Sequence, residues 1–145
     1  QKVNWKDLDF IIVDMPPGTG DTQLTFSQEI KMDGAIIVST PQEVALLDVK
    51  RGIKMFDKLG VKIIGLVDNM SYFIGDDGKK YKIFGEGGVK KTAKEFKKEF
   101  LGEIPINPKI GEAGDNGKPI VELDQDSNIS KIYLDFANKI KLIYL

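Results

Sequence analysis

The 145-residue chain contains no cysteine and no histidine. Their absence excludes disulfide bonds, thiolate or imidazole metal ligands, cysteine nucleophiles and serine–histidine pairs within this chain. Any chemistry must therefore come from carboxylates, amides, hydroxyl groups and the backbone.

An excess of charge of one sign and long apolar runs are also lacking. The chain has 21 lysine and arginine residues against 22 aspartate and glutamate residues, a formal net charge of −1. This balance provides no global attraction to nucleic acids or anionic membranes. Apolar runs such as residues 10–13 are far too short to span a membrane, and the amino end has no signal-peptide pattern. We therefore expect a soluble, cytoplasmic protein that binds neither nucleic acid nor membrane.

Short β-branched runs alternate with longer amphipathic segments along the chain. This alternation, without an apolar–polar period inside the runs, predicts an α/β fold with a buried, mostly parallel sheet and helices on both faces. The predicted strands are residues 10–13, 35–39, 61–67 and 100–104. The predicted helices are residues 22–30, 43–59 and 88–98, a short turn before Gly114, and a final helix after residue 127. Residues 71–88 are predicted to form a loop or short hairpin, and the chain is treated as one domain over residues 1–145.

Capping residues and an apolar stripe support these helix predictions. Ala45, Val49, Ile53 and Phe56 recur at helical spacing, and Gly60 is placed to end that helix. Asp21 is predicted to cap the first helix, and either Asp126 or Ser127 the last one.

Asp14 directly follows the first predicted strand. A hydrophobic strand that ends in aspartate is typical of a Walker B strand, whose carboxylate helps to hold Mg²⁺, usually through water. The alternative is that Asp14 only stabilises the following turn, since aspartate is a preferred turn residue. The strand pattern alone leaves both interpretations open.

The loop after Asp14 combines prolines and glycines, namely Pro16, Pro17, Gly18, Thr19 and Gly20. The same letters occur in the phosphate loop of AAA-type ATPases, but that loop requires a lysine where this chain has Asp21, which would repel phosphate. The residues do suit a loop that lies beside the γ-phosphate. Their glycines permit the backbone to approach the phosphate closely, and Asp14 and Asp21 can organise magnesium or water. We therefore predict a switch loop with Asp14 and Asp21 as its catalytic carboxylates.

The sequence DMPPGTGD at residues 14–21 resembles the second-half signature of Mrp-type iron-sulfur cluster carrier ATPases, in the MinD and ParA class of deviant Walker P-loop ATPases. Further blocks resemble the family in the family's order: TPQEVAL at 40–46, DNMSY at 68–72, IFGEGG at 83–88, LGEIP at 101–105 and EAGD at 112–115. The resemblance covers about residues 9 to 121. It implies part of a P-loop NTPase-type sheet, the binding and hydrolysis of ATP with Mg²⁺, and a role as an iron-sulfur cluster carrier or assembly factor.

The resemblance also implies roles for particular residues. The strand-end aspartate, Asp14 here, serves magnesium and the hydrolytic site in such proteins. An asparagine placed like Asn69 recognises adenine, and the loop containing Pro105, Ile106 and Asn107 lines the base. A carboxamide at a strand end does offer a donor and an acceptor to an adenine edge, although stabilising a turn is the alternative role for Asn69.

The family's Walker A loop, with its lysines, lies upstream of the strand that opens this chain. We therefore expect a carboxyl-terminal half-domain that hydrolyses little or no ATP by itself and needs an amino-terminal half carrying Walker A. Fragment, split-gene product and remnant of a larger chain remain open. The resemblance further implies a homodimer when the domain is complete, and iron-sulfur acceptor proteins as partners.

Many family members carry a Cys-x-x-Cys pair in the interval that reads FIGDDGK here, at residues 73–79. Asp76 and Asp77 are hard oxygen ligands in a glycine-rich turn, so a hairpin turn is the preferred interpretation and no metal or cluster is assigned there. Residues 79–99 contain eight lysines against three glutamates, and a solvated helix face is preferred over a site for an acidic partner.

Two other function classes remain open. The missing cysteines favour a non-catalytic nucleotide-binding or interaction module. A MinD- or ParA-like positioning ATPase is less consistent with the sequence, because Lys139 and Lys141 are too few to make a basic membrane-anchoring helix.

Overall fold

The computed structural model describes residues 3–16, 18 and 20–145. Its helices are α1 (Asp21–Glu29), α2 (Glu43–Lys58), α3 (Gly88–Glu95), α4 (Pro108–Asp115), α5 (Ile120–Leu123) and α6 (Asn128–Tyr144). Its strands are β1 (Ala35–Ser39), β2 (Ile63–Ile74), β3 (Lys80–Tyr81) and β4 (Phe100–Ile106).

The sheet is built around β2. Strands β1 and β4 each pair with β2 in parallel, whereas β3 pairs with its end in antiparallel orientation. Phe73 pairs with Tyr81 of β3 and with Ile106 of β4, so β3 lies on the β1 side of β2 and β4 on the other. The prediction of a mostly parallel sheet is confirmed.

Helices cover both faces of this sheet, as predicted. Because successive strand residues point to opposite faces, Leu66 packs under α2 and α3 while its neighbour Val67 packs under α6. The first face buries Ile63 and Leu66 against Leu46, Val49, Ile53, Val89 and Ala93. The second face packs Val67, Leu101 and Ile104 against Ile110, Ile132, Tyr133 and Phe136.

The helix predictions differ from the structure mainly at their ends. Ser127 caps α6, its hydroxyl accepting from the Ser130 N–H at 3.1 Å, so that alternative is confirmed. Asp21 is the first residue of α1 and not its cap, because the extended residue before the helix is Gly20. Helix α5 was not predicted, since four residues are too short to show a helical period.

The prediction of a strand at residues 10–13 is wrong. These residues are irregular and exposed, with Ile12 90% exposed. A parallel strand forms only where a neighbouring strand supplies backbone partners. Within the described residues, no strand pairs with this segment.

Other strands run further than predicted. β2 continues past residue 67 to Ile74, and β4 continues past residue 104, so Pro105 and Ile106 belong to a strand and not to a loop. Proline is tolerated there because β4 pairs with β2 on one side only among the described residues, which leaves its other side without need of a donor. The prediction that no strand alternates between buried and exposed residues is wrong for β1. Ile36 and Val38 are exposed there, because among the described residues the helices cover one face of β1 only.

Candidate functional site

The parallel strands bring the residues predicted on the adenine side together. Asn69 of β2 lies in register with Ile104 of β4, which leads directly into Pro105, Ile106 and Asn107. Both segments therefore meet at the carboxyl edge of the sheet, where open α/β sheets bind their ligands. The half-buried Asn69 stands beside the segment predicted to line the base.

The backbone after Asn69 has an unusual conformation. Met70 adopts a left-handed φ of 55°, and the β2–β4 register shifts between Asn69 and Phe73. A bulky residue rarely adopts this conformation, which occurs where the surrounding structure enforces it. The next residue, Ser71, is buried, and its hydroxyl donates to the Ile104 carbonyl oxygen at 3.1 Å.

Asn107 has a structural role at this edge. It is the N-cap of α4, and its side-chain oxygen accepts from the Lys109 N–H at 2.9 Å. Pro108 follows at the first helical position, where its fixed φ and missing N–H suit a helix start. The cap therefore fixes where β4 ends and α4 begins, beside Asn69.

Asp68, which was not among the predicted site residues, lies on the opposite face from Asn69. It is 1% exposed, and neither carboxylate oxygen has a hydrogen-bond partner among the described residues. Its register neighbours are Ser39 on β1 and Glu103 on β4. Burial, and secondarily the charge of Glu103, raises the pKa of Asp68 to about 6, while Lys82 acts in the opposite direction. The sequence offered one indication of this site, namely a carboxylate directly after the predicted strand at residues 61–67.

Lys82 is the cation beside these acids. Its Nζ lies 3.9 Å from a carboxylate oxygen of Glu103 and 3.8 Å from one of Glu86. It also stands 5.7 Å from the centre of the Tyr72 ring. These contacts link the segment before α3 to β4 on the face that carries Asp68.

The predicted switch loop lies before β1, and its two predicted catalytic carboxylates, Asp14 and Asp21, are exposed. Gln23 of α1 is 5% exposed and donates from Nε2 to the Pro16 carbonyl oxygen at 2.6 Å, which ties the loop to the helix. Gly18 has a φ of 96°, a conformation that favours glycine. Pro17 and Thr19 lie outside the described residues.

Residues 73–79 lie in a hairpin turn, as predicted. Asp77 accepts from the Lys79 N–H at 3.0 Å and from the Tyr81 hydroxyl at 2.9 Å. These bonds, the Lys79 N–H first, hold the pKa of Asp77 below its usual range. Among the described residues, no group of three or more acidic, histidine or cysteine side chains could hold a metal ion. No helix in the described part of the chain is long and apolar enough to cross a membrane.

Comparison with known proteins decides the family. The ParA-type family model described as "NUBPL iron-transfer P-loop NTPase" matches residues 1–141. The chain belongs to this family. An iron-sulfur cluster carrier protein of Synechocystis is 49% identical over 141 residues, which cover 96% of this chain and 40% of that relative. The resemblance to Mrp-type carriers is thereby confirmed.

Solved structures agree with the NUBPL-type assignment. A nucleotide-binding protein of Archaeoglobus fulgidus, in complex with ADP, is 40% identical with a TM-score of 0.70, covering 79% of this chain and 47% of that one. The cell division ATPase MinD of Pyrococcus furiosus has a TM-score of 0.61 at 22% identity, covering 77% of this chain and 43% of that one, and shows likeness of fold alone. The chain spans 37–47% of the length of the curated relatives it matches.

Proposed function

We propose that this chain is the carboxyl-terminal half of an ATP-binding iron-sulfur cluster carrier, and that it supplies the adenine side of the nucleotide site. The observation that carries the proposal is the register of β2 with β4, which sets Asn69 beside the start of the segment from Pro105 to Asn107. The Archaeoglobus fulgidus relative in complex with ADP supports it. The Asn69 carboxamide offers adenine both a donor and an acceptor.

Asp14 and Asp21 serve the phosphate side of the site. Both are exposed carboxylates at the two ends of the loop over residues 14–21, which fits a magnesium ion that keeps most of its water. When bound with ATP, Mg²⁺ supplies positive charge that neutralises the phosphates. Asp14 would hold the magnesium ion through water, and Gln23 keeps the loop against α1 by donating to the Pro16 carbonyl oxygen.

The phosphate-binding lysines come from an amino-terminal half. Two features support this division of the domain: residues 10–13 are exposed and apolar, and the exposed Ile36 and Val38 lie on β1, which pairs with β2 alone among the described residues. A strand from the other half that pairs with the free edge of β1, together with a helix packed on its exposed face, would complete the domain. By itself the chain is inactive as an ATPase, because it lacks most of the electrostatic grip on ATP.

The iron-sulfur cluster is the cargo of the complete carrier. With no cysteine in these 145 residues, its thiolate ligands come from outside this chain. The complete carrier works as a homodimer and passes the cluster to acceptor proteins. This chain contributes nucleotide recognition to that cycle.

Calorimetry with ATP and magnesium tests the proposal, first on the chain alone and then with a separately expressed amino-terminal half that carries the lysine loop. Binding is expected only after complementation, and Asn69→Ala should then weaken ATP binding about tenfold, as loss of a polar contact to a base does. Asn138→Ala, on the exposed surface of α6, is the matched control and should bind like the wild type. Tight ATP binding by the chain alone would contradict the proposal that it holds only half of the nucleotide site.

A non-catalytic nucleotide-binding module is the second candidate, and the absence of cysteine favours it. Measuring phosphate release and ATP binding in the complemented protein distinguishes the two functions. Phosphate release that Asp14→Asn abolishes, with ATP still bound, supports the ATPase. ATP binding without phosphate release supports the non-catalytic module.

A further inference from the structure

A shallow groove lies along α3, and neither Asn69 nor a residue of the switch loop lines it. Its volume is about 530 Å³, and it opens widely to solvent. The residues that line it are Gly87, Lys90, Lys91, Ala93, Lys94, Lys98 and Phe100. Four lysine side chains therefore border an apolar floor formed by Phe100, since Ala93 is only 1% exposed.

The positive charge of the groove is little compensated from within the chain. Lys98 is paired with Asp57 at 2.6 Å, and the α3 acid Glu95 is engaged by Lys50 at 2.9 Å. No carboxylate lines the groove among the residues that the structure describes. The charges of Lys90, Lys91 and Lys94 thus concentrate on one side of a chain whose formal net charge is −1.

The floor gives the groove a second chemical requirement. Phe100 is half-buried, and the Lys90 Nζ lies 5.9 Å from the centre of its ring, within the range of a cation–π contact. Ligands held by charge alone would leave this apolar floor uncovered. An acidic segment that also carries an aromatic or aliphatic side chain satisfies both the ammonium rim and the floor.

We infer that the α3 groove docks an acidic segment of a partner protein, with one apolar side chain on Phe100 and carboxylates beside Lys90, Lys91 and Lys94. A single half-buried ring offers no series of stacking platforms for successive bases, so a protein segment fits better than a nucleic acid. The inference does not depend on nucleotide binding. Its failure and the failure of the ATP site are therefore separately observable.

Fluorescence anisotropy tests the docking, with a labelled peptide of about twelve residues, rich in Asp and Glu around a central Phe-Leu pair, as the probe. Binding to the whole 145-residue chain is expected, and it should weaken several-fold between about 50 and 200 mM salt. Replacing Phe-Leu by Ser-Ser in the peptide should weaken binding by roughly tenfold, because the floor loses its contact. Equal binding of both peptides would reduce the groove to nonspecific charge attraction and overturn the proposal.

The matched variants change the same charge on opposite sides of the sheet. Lys90→Glu, Lys91→Glu and Lys94→Glu together should lower affinity at least about tenfold. The control is Lys118→Glu, Lys131→Glu and Lys141→Glu, three exposed lysines in or beside the helices of the other face, which should retain binding. The triple glutamine variant at positions 90, 91 and 94 should show an intermediate loss, and it replaces the glutamate variant if that one fails to fold. Equal loss in the control, absence of binding to the wild type, or stronger binding of an oligouridylate of equal charge would each overturn the inference.

Discussion

Asp68 is a buried carboxylate at the carboxyl edge of the sheet, and its surroundings disfavour its charged form. Neither oxygen has a hydrogen-bond partner among the described residues, and Glu103 lies next to it on β4. A buried charge without a partner destabilises the fold or takes up a proton. Because its pKa is raised from 3.8 to about 6, Asp68 takes up a proton below about pH 6 and is a destabilising buried charge above it.

Asp68→Asn is expected to stabilise the fold at neutral pH and to change its pH dependence. Because the folded state holds the Asp68 proton more tightly than the unfolded state, this residue makes the wild type less stable as the pH rises from 3.8 through about 6. Above pH 6 the shift in pKa corresponds to roughly 3 kcal/mol of lost stability in the wild type. The gain in Asp68→Asn is smaller than this, because the variant still buries a carboxamide without a hydrogen-bond partner. Urea unfolding of both proteins between about pH 4 and 8 measures the difference.

The free energy of unfolding of the variant minus that of the wild type should grow with pH and level off above the pKa of Asp68. Asp126→Asn, at an exposed aspartate before α6, provides the control and should give a flat difference. A flat difference for Asp68→Asn as well would contradict the proposed protonation of the buried carboxylate.

At the scale of elements, α2 and α3 meet closely at their amino ends. A Cβ added to Gly88, the first residue of α3, would lie 2.6 Å from Leu46 Cδ1 and 2.7 Å from the Pro41 carbonyl oxygen. One neighbour is a flexible side chain, but the other is backbone that holds the start of α2. Position 88 therefore requires glycine for space.

Gly88→Ala is expected to destabilise the fold by about 1–3 kcal/mol, because the backbone around Pro41 must move to accept the methyl group. The control is Gly111→Ala inside α4, where an added Cβ meets no atom within 4 Å. That substitution should stabilise by about 0.5–1 kcal/mol through helix propensity. Chemical denaturation measures the free energy of unfolding of both variants. Equal effects of the two substitutions would contradict the close packing at Gly88.

The cap of α6 is a second feature at this scale. Ser127 accepts from the Ser130 N–H, and its own hydroxyl donates to the Asp124 carbonyl oxygen at 2.8 Å. Ser127→Ala should lower the free energy of unfolding by about 1 kcal/mol, the usual effect of losing an N-cap. Ser127→Asp, which keeps an acceptor at the cap, should recover most of the loss. If both variants matched the wild type, the cap would not stabilise α6.

At the scale of the whole molecule, many exposed apolar side chains belong to the part of the chain that precedes β2. Trp5, Ile11, Ile12 and Val13 are exposed, as is Val38 of β1. Singly exposed apolar residues are normal, but a continuous run of them in the chain is typical of an interface. This surface is where we propose that the amino-terminal half packs.

Ile12→Asp is expected to leave the stability of the chain alone within about 0.5 kcal/mol, because Ile12 is 90% exposed. In contrast, it should abolish complementation by the amino-terminal half, since the aspartate would be buried at the new contact. Leu142→Asp, at an 87% exposed position on α6, is the control and should complement normally. Size-exclusion chromatography of the mixed halves provides the measurement. Normal complementation by Ile12→Asp would place the interface elsewhere.

Local features of the sequence predicted most of the helices and strands. The period of Val49 and Ile53 predicted α2, and the glycine–aspartate turn predicted the hairpin. Asn69, predicted at the end of a strand, lies within β2 and is in register with Ile104 of β4. These features depend on residues close together in the chain, and their backbone preferences act without distant partners. The family blocks extended the predictions to site residues, whose roles stay predictions.

The sequence by itself determined the α/β class, the helix faces and the family. Hydrophobic period, helix caps and short motifs each depend on residues that are close together in the chain. Only the tertiary structure decided that residues 10–13 form no strand and that β4 carries Pro105 and Ile106, since strands exist through partners distant in sequence. It also decided the state of Asp68, whose burial between Ser39 and Glu103 arises when β1, β2 and β4 come into register. Desolvation is a property of that assembled environment, so no local pattern could have specified it.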